Sequence, residues 1–106
     1  MDTVVERLED MRWRTTDDTF GAPDNLTPAD VRTLCREWRQ TWLITRALIP
    51  PSEARSEAEK FHEMTRRIRA SVAQDQQRAV DSAKSIAVEV AKLIDLFDKV
   101  RAEPPA

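Results

Sequence analysis

Between Ser52 and Glu103 the chain contains neither proline nor glycine, and this uninterrupted stretch constrains the fold more than any other feature. Sheet proteins of this size reverse direction every ten residues or so, using Gly and Asn-Gly or Asp-Gly turns. The single glycine, Gly21, cannot supply them. The expected class is therefore all-α, and 106 residues suffice for one domain, here residues 1–103 followed by a short Pro-rich tail at 104–106. Charged residues make up 34% of the chain, above the usual quarter, as long helices with one buried stripe require.

Three helices are predicted, over about residues 2–13, 28–49 and 53–102. In the first, Val4, Val5, Leu8 and Met11 recur at helical spacing. The segment from Thr15 to Leu26 reads as an ordered loop with Phe20 against a helix. Thr27 can cap the second helix, Pro28 suits its first position, and Asp30 complements the positive end of its dipole. Pro50 and Pro51 stop it. Val31, Leu34, Cys35, Trp38, Trp42, Thr45 and Ile49 share its apolar face. The end from Trp42 to Ile49 is apolar nearly all round, a pattern that calls for cover on several sides.

Ser52 can cap the third helix. Ala54, Ala58, Phe61, Met64, Ile68, Val72, Ala79, Ala83, Ile86, Val90, Leu93, Ile94, Phe97 and Val100 project into one sector of roughly 120°. The phase is the same on both sides of the polar run Gln74-Asp75-Gln76-Gln77-Arg78, which predicts one continuous amphipathic helix of about fifty residues, or roughly 75 Å. A break within residues 73–78 is the alternative. The second helix, about 33 Å long, would cover only residues 52–72 if folded back. The first helix can reach further over its long loop, yet the stripe from Ala83 to Val100 is hard to cover completely from within one chain, so a hairpin or bundle completed by oligomerisation is expected. Ala79, Ala83, Ala87 and Ala91, spaced i, i+4, would permit close approach of a neighbouring helix.

Enzyme signatures are nearly absent. The chain has no Gly-rich phosphate loop, no Cys-x-x-Cys and no His-Glu-x-x-His. Cys35 and His62, each the only residue of its type, would have to form any Cys-His pair, and a small buried thiol accounts for Cys35 without catalysis. Glu59 and His62 form a single Glu-x-x-His, whereas di-iron bundles need two plus further carboxylates. The projection sets Glu59 and Glu63 opposite Phe61, with His62 at the flank, as solvated polar residues would lie. No cofactor, metal or catalytic residue is assigned.

The functional expectation is a non-enzymatic helical assembly or adaptor protein, self-associating or bound to a helical partner. Its protein-interaction residues would be Trp42, Leu43 and Ile44 with Ala83, Ile86, Val90, Leu93, Ile94 and Phe97. The alternative is a subunit that binds nucleic-acid backbone through Arg32, Arg36, Arg39, Arg66, Arg67 and Arg69. Residues 31–49 carry four Arg against one Glu, and residues 65–78 four Arg against one Asp. Guanidinium groups suit phosphate and carboxylate alike. Residues 1–30 hold eight acids against three Arg, so pairing within the chain competes with that use. A metal-dependent enzyme in an oligomeric bundle is the remote reading. A lone cysteine, no apolar leader region within Met1–Arg14 and no apolar run of about twenty residues predict a cytoplasmic, non-membrane protein.

Overall fold

A computed structural model describes residues 2–17 and 23–102. Among them are four α-helices and no strand: α1 (Asp2–Thr16), α2 (Pro28–Thr45), α3 (Glu53–Ser71) and α4 (Gln76–Ala102). A tight 3-10 turn, Arg46–Leu48, extends α2 almost to the double proline.

The local signals act where the side chains require. Thr27 accepts from the Asp30 amide while the Asp30 carboxylate accepts from the Thr27 amide, a reciprocal cap with Pro28 just inside it. Ser52 caps α3 through the Arg55 amide at 3.2 Å. Helix α1 runs three residues beyond its expected end, and the Thr15 and Thr16 hydroxyls donate back to the carbonyls of Met11 and Arg12. Phe20 and Gly21 lie outside the described residues.

The continuous fifty-residue helix does not form. The helical path ends at Ser71, and Ala73 takes a left-handed φ of 45°. A new helix then starts at Gln76. Asp75 provides its N-terminal cap, accepting from the Arg78 amide at 3.1 Å. Two arginines brace the turn: Arg32 of α2 donates to the Ala73 carbonyl, and Arg78 to that of Ser71. A longest dimension of 48 Å excludes the extended rod. The connection from Val72 to Asp75 spans about one helical turn of sequence, which is why the apolar phase is equal on its two sides. Phase alone does not separate a rod from a hairpin joined by four residues.

The four helices close into an up-down-up-down bundle in which α1 packs on α2 and α4, and α3 on α2 and α4. Arg7 donates to Thr41 and Glu37, and Arg14 reaches the same Glu37 carboxylate at 2.7 Å, running α1 antiparallel to α2. Burial lowers the Arg14 pKa, but hydrogen bonds and attraction from Glu37 and Asp10 outweigh it, so the value is raised above its ordinary one. Asp2 and Arg101, 3.8 Å apart, set the start of α1 beside the end of α4.

One apolar cluster runs through the bundle. Trp38 stacks on Trp42 with centroids 5.5 Å apart, and Phe61 meets Trp38 edge-on at 5.0 Å. The indole Nε1 atoms of both tryptophans are buried with no acceptor among the described residues. Ala83, Ile86, Val90, Leu93, Ile94 and Phe97 all belong to this core. The expectation that they form an uncovered stripe is therefore corrected: α1 lies along α4 and the chain buries the stripe itself. Ala79 and Ala83 are fully buried, and Ala87 and Ala91 half-buried, on the helix against which both α1 and α3 pack.

Candidate functional site

The double proline turns the chain so that α2 and α3 lie side by side, and the surface between them is concave. On α2, Cys35, Arg39 and Leu43 follow one another at i, i+4 spacing; on α3, His62, Thr65, Arg66, Arg69 and Ala70 face them. Together they line an open groove of about 550 Å³. Cys35 forms part of the floor, almost wholly buried. Burial pushes its thiol up to about 11, against an opposing pull from Arg69. At neutral pH it is protonated and a poor nucleophile.

His62 differs from its expected solvated state. It is 8% exposed, and its Nδ1 is buried with no hydrogen-bond partner among the described residues. Burial lowers its pKa; the carboxylates of Glu63 and Glu59 oppose this, whereas Arg66 and Arg39 add to it. The neutral imidazole is accordingly favoured over the charged one. A flank position on an amphipathic helix becomes buried when a neighbouring helix is broad there, as α2 is with its tryptophans. The Ala58-His62 spacing, i to i+4 beside Phe61, is the sequence signal that points to this.

The six arginines considered together in the sequence are separated by the fold. Arg39, Arg66 and Arg69 converge on the groove. Arg36 is exposed one turn along α2, and Arg32 is engaged with Ala73. Arg67 points to a different surface, beside Glu59, Lys60, Glu63 and Met64. Arg66 pairs with Glu63 at 3.1 Å, but no carboxylate among the described residues lies within 4 Å of Arg36, Arg39 or Arg69.

Of the expected protein-interaction residues, Trp42 is fully buried, while Leu43 and Ile44 are 45% and 75% exposed. Leu48, also 75% exposed, extends this apolar end and was not assigned from sequence. The remaining six are core residues, as described above. Among the described residues, no three His, Cys, Asp or Glu side chains are grouped to hold a metal ion, and no helix is long and apolar enough to cross a membrane.

Fold and surface define a class: an antiparallel four-helix bundle with a cationic groove between α2 and α3 and exposed apolar side chains at the end of α2. Comparison with protein-family models, curated proteins and solved structures finds no match to the chain.

Proposed function

We propose that this chain is a non-enzymatic helical binding module, an adaptor that engages an acidic partner protein through the exposed end of α2 and the cationic groove that Leu43 borders. One observation carries the reading: Leu43, Ile44 and Leu48 stand in water within six residues of one another at the end of α2, whereas the other exposed large apolar side chains among the described residues, Trp13 and Val88, are single positions on α1 and α4. Exposed apolar side chains flanked by cations suit a partner segment with apolar anchors and carboxylates. The argument for self-association from an uncovered apolar stripe no longer applies, because α1 covers α4. A second copy docked face to face through the same surface would also bring like charge against Arg36, Arg39 and Arg69. A heterologous acidic partner fits better. The protonated Cys35 thiol supports a non-catalytic role.

The test is photo-crosslinking from position 44 in the native host, read by mass spectrometry. A dominant heterologous adduct should form, and Leu48→Asp or the paired change Arg39→Glu and Arg69→Glu should suppress it. An adduct indifferent to these changes, or only a crosslinked homodimer, would refute the heterologous reading.

The nucleic-acid alternative gains support from the convergence of Arg39, Arg66 and Arg69. It loses support from Arg67 and Arg32, which lie elsewhere, and from the net charge of −2. Backbone binding would show a steep loss of affinity with salt, because each neutralised phosphate releases a counterion.

A further inference from the structure

We propose that the groove between α2 and α3 is a binding site for one phosphate monoester of a small ligand, held by the guanidiniums of Arg39, Arg66 and Arg69 and by the imidazole of His62. This goes beyond partner docking and does not depend on it, although Leu43, Arg39 and Arg69 belong to both surfaces.

The concavity is the first argument. At about 550 Å³ it falls within the range of small-ligand sites, roughly 300–1,000 Å³. The three arginines surround this single hollow instead of forming a track along the bundle, and on α3 the cationic run is interrupted by the exposed carboxylates of Glu59 and Glu63. A polynucleotide needs a continued path for successive phosphates; a monoester needs one pocket.

Charge is the second. Two of the three guanidiniums have no carboxylate within 4 Å among the described residues, and the third is shared with an exposed Glu63. Like charges held around one concavity repel until an anion enters, and a dianion balances them better than a single carboxylate. Arginine also offers paired N–H donors matched to phosphate oxygens.

The third argument is His62. Its Nδ1 is sealed in the helix interface without a partner. Buried N–H groups left without an acceptor are rarer than unsatisfied acceptors, so a neutral ring with its proton on Nε2 is the tautomer this burial favours. Because His62 lines the groove, that tautomer leaves Nε2 as the ring's donor to a ligand there. A neutral N–H donor among guanidiniums adds direction to a site that otherwise supplies charge.

His62 is the only histidine, so its ring carbon-bound protons give unambiguous signals in one-dimensional proton NMR. The chain is titrated with inorganic phosphate at fixed pH and at ionic strength held constant with chloride. The His62 signals should shift saturably, and the apparent pKa of the ring should rise with phosphate bound, since a dianion stabilises the imidazolium. Arg39→Gln and Arg69→Gln, both at exposed positions, should each weaken the apparent affinity roughly tenfold, the loss of one charge-assisted contact. Arg67→Gln should leave it unchanged. A linear response equal to that of chloride, or equal weakening by all three substitutions, would overturn the proposal. A single-stranded oligonucleotide saturating at lower concentration than a nucleoside monophosphate, with a salt dependence of several phosphates, would overturn it in favour of a nucleic-acid track.

Discussion

Ala73 sits at φ 45° with its side chain exposed, and replacing it by glycine separates a hairpin from a rod by the sign of the effect. A left-handed conformation costs an L-residue roughly 1–2 kcal/mol, which glycine does not incur. Glycine in turn loses more backbone freedom on folding, worth roughly 0.5–1 kcal/mol relative to alanine. No packing is lost, because the methyl group faces water. The neighbouring braces also survive, since the Arg32 contact uses the Ala73 carbonyl and the Asp75 amide donates to the Val72 carbonyl at 3.0 Å. The net expectation for Ala73→Gly is a gain of roughly 0.5–1 kcal/mol. Within a continuous helix the same change would cost about 0.8–1 kcal/mol. At several degrees of melting temperature per kcal/mol, the hairpin predicts a rise of roughly 3–6 °C and the rod a comparable fall. Thermal melts followed by circular dichroism at the helical band distinguish them. Ala73→Val should lower the midpoint sharply, because a β-branched side chain is poorly accommodated at positive φ. A lower melting temperature for Ala73→Gly would refute the turn and revive the continuous helix.

Phe97→Ala should destabilise the chain by about 3–5 kcal/mol in urea, with no change in mass by light scattering, because the cavity opens inside one bundle; dissociation preceding unfolding would contradict this. The lowered pKa of His62 means that the unfolded state takes up its proton first as pH falls. Stability should therefore decline as pH drops below about 6.5, through the window above carboxylate titration, and a His62→Gln variant that still folds should show a flatter profile there. Cys35, with its thiol held near 11 and almost no exposure, should react with an aromatic disulfide reagent far more slowly in buffer than in urea; equal rates would place it outside the core.

Much of the fold is legible in the amino-acid sequence. The starts of α2 and α3 are written in Thr27-Pro28-Ala29-Asp30 and in Ser52 after the double proline, since caps and prolines act through their own backbone and need no distant partner. The apolar positions were likewise readable, because helical periodicity assigns a face whatever lies against it; only Met64 and Val100 of the long stripe remain partly exposed. The turn at Ala73 was not readable from periodicity. A four-residue connection preserves the phase, and a non-glycine left-handed residue leaves no mark, although Asp75 three residues before Arg78 is a start signal of the usual kind.

What covers each face was decided only by the tertiary structure. The stripe on α4 needs a partner, and sequence does not distinguish α1 from a second molecule; the long connection after α1 let it lie antiparallel along α4 and bury Ile86, Val90 and Phe97 within the chain. The same holds for the basic side chains. Six arginines on two helices read as one stripe, yet the rotation of α3 against α2 brings Arg66 and Arg69 beside Arg39 and turns Arg67 away. Local interactions along the backbone set where helices begin, whereas rotation and coverage come from packing between residues far apart in sequence, where burial of the whole stripe outweighs any single local preference.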